Sequence, residues 1–226
     1  MILLLNTITD VAQRKLFSEK VFPRELGDCY GERVLGIDKI NPDEWKGLII
    51  TGSELSAGTG SPLDRIFFDI LKGFIVAQKP VLGICWGHQM IARYLGGDDY
   101  VRRAPVPEFG WRRIKLFTDD PLFAALEKPI LAQSHFDEVC KLKDNWKLLA
   151  STEECPNQAI RYGDGPIWGV QFHPEAFFEL GTAMFAKVLR EYPETSKYHR
   201  DDLVEMAHLR QNRLIFVNFT RLVEGA

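Results

Sequence analysis

The chain has no run of roughly eighteen apolar residues, so no transmembrane helix is expected. It has only four cysteines, at positions 29, 85, 140 and 155, with no C-x-x-C pair and no metal-ligand spacing to histidine. That pattern offers no zinc framework and suits a reducing cytoplasm, with Cys140 and Cys155 expected as ordinary packing or surface thiols. Charge of either sign is not in excess: the formal net charge is −3, which gives no general attraction to nucleic acid. Arg102-Arg103 and Arg112-Arg113 are the local basic pairs, and both are expected on a solvated face. Internal repeats, low-complexity segments and an interdomain linker are all missing. The opening Met1-Ile2-Leu3-Leu4-Leu5-Asn6 has neither a basic leader nor a small-residue cleavage site, so a first buried strand is expected there in place of a signal peptide.

What is present is enough apolar material, 46% of 226 residues, for one well-buried domain. Apolar runs at 1–5, 32–37, 47–51 and 80–84 have the length and bounding turns of buried parallel strands. Between the last two, Leu63, Ile66, Phe67, Ile70, Leu71 and Phe74 recur at helical spacing after the start signal Ser61-Pro62. Beyond residue 100 the pattern changes to strands at 111–117, 130–134, 146–151 and 158–162, many of them antiparallel. Gly163-Asp164-Gly165-Pro166 then turns the chain into a strand at 167–172. The class is α/β: a three-layer, mostly parallel open sheet, which binds ligands at the carboxyl edge of its strands.

One such edge carries chemistry. Gly83-Ile84-Cys85-Trp86-Gly87 follows Pro80-Val81-Leu82 directly and leads into a helix over 86–95 that Gly96-Gly97 stops. A strand entering a helix through G-x-C-x-G makes a nucleophile elbow, a sharp turn with a reactive side chain at its tip. Cys85 then lies at a helix N-terminus, where free amides and the dipole favour a thiolate. The Trp86 amide is placed to hold an oxyanion formed by attack on carbonyl carbon.

A thiol nucleophile needs a base, and the base needs an orienting group. Gly169-Val170-Gln171-Phe172-His173-Pro174-Glu175 supplies both: a strand ending in histidine, a proline that keeps His173 extended, and a carboxylate to select its tautomer. Of the other four histidines, His88 is expected to pack within the elbow helix, His199 and His208 to be solvated, and His135 to belong to a pocket segment.

Gly-Ile-Cys-Trp-Gly-His-Gln around Cys85 and Gly-Val-Gln-Phe-His-Pro-Glu around His173 resemble the signatures of class I (triad) glutamine amidotransferase domains. The resemblance spans the chain from its first strand to about residue 190. It implies a flavodoxin-like fold and a Cys85–His173–Glu175 triad cleaving a γ-glutamyl amide through a cysteinyl thioester, with no metal or organic cofactor. It also assigns substrate contact to Gln89, and a backbone cradle for the substrate α-amino and α-carboxylate groups to Ser134, His135, Phe136 and Asp137. After the third strand, Gly52-Ser53-Glu54 stands where many members have Gly-Gly-Pro, the loop that donates the second oxyanion amide. Gly-Ser at that point resembles stand-alone γ-glutamyl peptidases, while the motifs at large are similar to amidotransferase domains of the GMP-synthase type.

Residues 1–190 are therefore expected to form the amidotransferase-like domain, with a helix over 176–190 near the active edge. Residues 191–226 are expected to form a helical extension packed on the same domain, with Leu203, Met206, Ala207, Leu214 and Phe216 as its apolar positions. The alternative for that extension is a surface for a homodimer or another partner. Three functions compete: a self-contained hydrolase of glutamine or a γ-glutamyl compound, a glutaminase subunit passing ammonia to a separate synthase, and a non-catalytic regulatory protein. The substrate is a small molecule, with no nucleic acid or membrane involved and a cytoplasmic location.

Overall fold

The computed structural model describes residues 1–202 and 206–225, so that Leu203, and the side chain of Ala207, lie outside the described residues. Its strands are β1 (Ile2–Asn6), β2 (Tyr30–Val34), β3 (Gly47–Ile50), β4 (Val81–Ile84), β5 (Val101–Arg113), β6 (Lys115–Leu116), β7 (Ile130–Val139), β8 (Trp146–Ser151), β9 (Ala159–Tyr162) and β10 (Ile167–Val170). Eight of them form one sheet in the order β2-β1-β3-β4-β10-β9-β8-β6. The first five in that order run parallel, and the last three are antiparallel additions. The remaining two, β5 and β7, pair antiparallel as a separate ribbon.

Alternation along the buried strands divides the core in two. Leu3, Leu5, Leu48, Ile50 and Val81 point to one face, where α3 (Asp64–Val76) lays down Phe67, Ile70, Leu71 and Phe74 and α4 (Trp86–Gly96) adds Met90 and Ile91. Ile2, Leu4, Ile49, Leu82 and Ile84 point to the other. That face is covered by Val21 and Phe22 and by Ile215, Phe216 and Phe219 of α7 (Leu214–Glu224). Two helical layers thus sandwich the sheet. No helix among the described residues is long and apolar enough to cross a membrane.

Several local features depart from the sequence-based expectations. β2 spans Tyr30–Val34 and is only half-buried, because it is the sheet's edge and has a single neighbour. Residues 11–26, which carry no clear periodicity, are helical: α1 (Val11–Leu16), one wide π turn over Phe17–Val21, and α2 (Phe22–Leu26). Asp10 starts this segment by accepting from the Gln13 N–H at 2.9 Å. Pro23 cannot donate into the helix, and the turn before it widens so that the Phe22 N–H reaches Phe17 O. β5 begins ten residues before the expected strand. Pro105 and Pro107 sit where its register with β7 slips between Arg103 and Glu108, which disguises one long strand as two short pieces.

β10 stops at Val170, and His173 is held instead by an isolated bridge to β7, its N–H donating to Ala132 O at 2.9 Å. In the C-terminal stretch, α6 (Met206–Gln211) and α7 are separate helices. His199 and His208, expected in solvent, are half-buried. His199 lies 3.1 Å from Asp201 and packs its ring on Phe185.

The turn from β4 into α4 fixes where the site lies. A Cβ on Gly83 would stand 2.5 Å from the Gly87 carbonyl carbon, and one on Gly87 would stand 2.9 Å from Ile50 O. Strand and helix backbones therefore touch, and Cys85 between them is forced to φ 50° and ψ −104°. Because the atoms in the way are backbone, Gly83→Ala should cost about 3 kcal/mol. A lower urea midpoint at unchanged denaturant slope would register it.

Candidate active site

Cys85 opens into a cavity of about 300 Å³ at the carboxyl ends of β3, β4 and β10. His173 and Glu175 line the same cavity. Glu175 Oε1 lies 2.8 Å from His173 Nδ1, while His173 Nε2 is buried without a hydrogen-bond partner among the described residues. A carboxylate on Nδ1 keeps a proton there and leaves Nε2 as the nitrogen that can exchange one with a neighbour. That neighbour is Cys85: the space beside Gly52 is bounded by His173 Cε1 at 3.1 Å and Cys85 Cβ at 3.5 Å from where a Gly52 side chain would begin. Burial works against an imidazolium at His173, but the Glu175 carboxylate and the Cys85 sulfur outweigh it and hold its pKa well above the ordinary 6.5. Gln171, inside the motif that carries His173, brings its Nε2 to 3.6 Å from Cys85 Sγ, a contact not among the expectations from the sequence.

The Gly52-Ser53-Glu54 loop is latched to residues 7–9 by side chains. The Thr7 hydroxyl lies 2.9 Å from Gly52 O, and the Ser53 hydroxyl donates to Thr7 O at 2.7 Å. Glu54 Oε2 accepts from both the N–H and the hydroxyl of Thr9 at 2.9 Å. These bonds fix the loop as a proline ring would elsewhere, and they occupy the carboxylate. Trp86 turns its ring into the core against Phe67, so only its backbone is presented to the cavity, at the first turn of α4 where amides have no intrahelical acceptor.

The opposite wall is β7, whose Ser134, His135, Phe136 and Asp137 all reach the cavity. Gln89 lines it too, but its amide nitrogen donates to Asp137 O at 2.8 Å and to Gln171 Oε1 at 3.0 Å, which leaves its oxygen as the end for a ligand. Asp137 accepts from the Ser56 hydroxyl at 2.6 Å and faces Arg103 at 3.5 Å. Arg103 is exposed, as expected of a solvated face, and from there it also reaches the cavity rim, stacked 4.2 Å over Phe136. Its side chain arrives there because β5 pairs Arg103 with Asp137 across the ribbon.

Behind β7 lies a buried ionic cluster that sequence reasoning misses. Glu108, fully buried, accepts from Gln158 at 2.6 Å and Thr152 at 2.8 Å, faces His135 Nε2 at 3.2 Å, and pairs with Arg112 at 3.5 Å. Arg112, expected in solvent, is 5% exposed and also bonds Glu154 at 2.7 Å. The correction has a simple cause: Arg112 points inward from β5 beneath Glu154 and Asp202, so its charge is paired and not hydrated. His135 Nδ1 is 3.1 Å from Asp137 O, so both of its ring nitrogens face acceptors. Thus His135 contributes backbone to the cavity while its ring braces the wall from behind. His88, completely buried in α4, is kept neutral, its pKa pushed down to about 3 by burial and by His135. A carboxylate beside the apolar run Phe109-Gly110-Trp111 is the one signal available for Glu108.

Glu108, His135 and Cys155 bring ligand-type atoms within 4.8 Å of one another. They do not suit a cation: both Glu108 oxygens are already used, Arg112 adds positive charge, and burial with the nearby carboxylates pushes the Cys155 thiol up.

Burial would raise the Glu108 pKa, but hydrogen bonding and charge from His135, aided by Thr152 and Arg112, hold it below the ordinary 4.5. Removing it takes the acceptor from His135 Nε2 and Gln158 and one of three acidic partners from Arg112, which keeps Glu154, so Glu108→Ala should lose about 3 kcal/mol. The stabilisation is complete above the ordinary value of 4.5 and is lost as pH falls beneath it, so the gap between variant and wild type should narrow in acid. Urea titrations at neutral and acidic pH would measure both effects.

The family model of the class I glutamine amidotransferases matches residues 33–191. The chain is 36% identical over 160 residues to a subunit of the glutamine-hydrolysing GMP synthase from Pyrococcus furiosus, covering 69% of this chain and 81% of that one. Among solved structures, a glutamine amidotransferase from Thermotoga maritima superposes with a TM-score of 0.70 at 20% identity, covering 100% of this chain and 97% of that one. Another from Methylobacillus flagellatus reaches 0.72 at 18% identity, with 96% and 93% covered. At those identities the superpositions speak for the fold. With the sequence match spanning the elbow, both β7 and β10 and the Cys85 and His173 motifs, the chain belongs to the class I glutamine amidotransferase family.

Proposed function

We propose that the protein hydrolyses the γ-glutamyl amide of glutamine or of a γ-glutamyl compound through a Cys85 thioester. One observation carries this reading: Cys85, strained at the start of α4, shares an open cavity with a buried histidine whose Nδ1 is committed to Glu175 and whose Nε2 has no other partner among the described residues.

In the reaction, His173 takes the Cys85 proton and the thiolate attacks the γ-carbonyl carbon. The oxyanion rests on the Trp86 amide and on the amides of the Gly52-Ser53 loop. The His173 imidazolium gives its proton to the departing nitrogen as the C–N bond breaks. Water, deprotonated by His173, then cleaves the thioester and releases glutamate. On the substrate's far end, Asp137 and Arg103 offer opposite charges to the α-amino and α-carboxylate groups, with Gln89, Ser134 and Phe136 around them. This chemistry calls on no metal or organic cofactor.

A second reading is favoured by the relatives, among which are subunits of glutamine-hydrolysing GMP synthases. In it, the same hydrolysis supplies ammonia to a separate synthase, and the isolated chain is slow until that partner docks.

Cys85→Ala should reduce glutamate release from glutamine to background while leaving the fold intact; retention of wild-type hydrolysis would sink both readings. Glu175→Gln should lower kcat on the order of 10²-fold. Because Glu175 raises the His173 pKa, the variant should lose its imidazolium at lower pH than wild type. The alkaline limb of its kcat/KM profile would then move toward acid, and an unmoved limb would remove Glu175 from the orienting role.

A further inference from the structure

Beyond Cys85 and His173 the cavity continues into the wedge between the 11–26 helical segment and α5 (Phe178–Glu191), and there its lining changes character. Ile8 and Phe17, both buried, form one side. Met184, Val188 and Tyr192 form the other, spaced every four residues along one face of α5 and its end, with Glu191 beside them toward the opening. Lys187 bridges the two sides at the rim, bonding Asp10 at 3.3 Å and Gln13 at 3.1 Å. Ile8, Phe17 and Met184 pack with Cys85 and Phe172 in the core face from which His173 emerges. The charged wall of Ser56, Arg103 and Asp137 is built instead on the β5–β7 ribbon and the loop after β3.

These two walls sort the halves of a γ-glutamyl amide. The charged wall complements the zwitterionic glutamyl end. His173 must protonate the leaving nitrogen, and the segment from His173 through Glu175 leads directly into α5, which carries Met184 and Val188, so the amine half is assigned to that wall. Ammonia has no apolar surface to bury there, whereas a substituted amine has. We propose that Ile8, Phe17, Met184 and Val188 form a subsite for an apolar substituent on the leaving nitrogen, so that the preferred substrates are γ-glutamyl compounds of apolar amines or amino acids. This rests on the γ-glutamyl hydrolase reading above. The bond changes are those of that reaction: the amide C–N bond breaks, the His173 proton goes to the amine nitrogen, and water completes the glutamate carboxylate.

The test compares γ-glutamyl-leucine with γ-glutamyl-glycine, which share the scissile bond and differ by an isobutyl group. A filled apolar subsite should favour the leucine compound in kcat/KM on the order of 10- to 100-fold. Met184→Asp, or Met184→Gln should the first variant fail to fold, should bring that ratio toward one. Equal rates on the two dipeptides, with glutamine or either dipeptide turned over by Cys85, would overturn the subsite and leave the hydrolase reading standing. Failure to release glutamate from glutamine and both dipeptides would count against self-sufficient hydrolysis. The subsite would then be judged by calorimetric binding to the Cys85→Ala variant, where the same preference for γ-glutamyl-leucine is expected and equal affinity would overturn it.

Discussion

The contact between the backbones of β4 and α4 is the constraint on which the rest of the site depends. Gly83 meets Gly87, and Gly87 meets Ile50 of the neighbouring strand, with no room for a Cβ at either position. A strand and a helix brought that close can be joined only by a residue in a sparsely populated conformation, and Cys85 occupies it at φ 50°. Such strain costs of the order of 1–3 kcal/mol and persists because the surroundings over-determine it. Here those surroundings are fully buried strands on both sides of β4 and the apolar face of α4. The return is positional: the thiol stands at the mouth of a helix dipole, between the loop after β3 and the segment after β10.

Around that fixed point, polar groups are held by bonds that reach across the chain. Thr7, Thr9 and Ser53 tie the Gly52 loop to the segment after β1. The bridge from His173 to Ala132 ties the base to β7. Glu108 and Arg112 are both buried, and each of their charges is met by a partner of opposite sign. An ion cluster of this kind is weak evidence for stability in itself. Its placement behind the cavity-lining residues of β7 gives it a geometric consequence, since His135 links the cluster directly to the Asp137 carbonyl.

Much of this is legible in the residues alone. Parallel strands buried on both faces announce themselves as continuous apolar runs, and β1, β3 and β4 do so. The helix of Phe67, Ile70, Leu71 and Phe74 is legible from its period. The 11–26 segment is not, because only Phe17, Val21, Phe22 and Leu26 are buried and the π turn breaks their spacing. Nor is the whole of β5, whose prolines interrupt both pattern and register. Arg112 reads as a hydrated charge because a basic pair looks the same in sequence whether it meets water or a buried carboxylate.

By itself the sequence determined the alternation of strands and helices, the elbow at Cys85, and the histidine and carboxylate two residues apart, because each is written in neighbouring residues under local backbone sterics. Only the tertiary structure decided that Arg103 faces Asp137, that Glu108 sits under His135, and that Ile8 and Phe17 oppose Met184 and Val188 across the cavity. Those pairs join segments far apart in the chain. What brings them together is the packing of a ribbon and two helical segments onto the sheet, and packing between distant segments leaves no local periodicity to read.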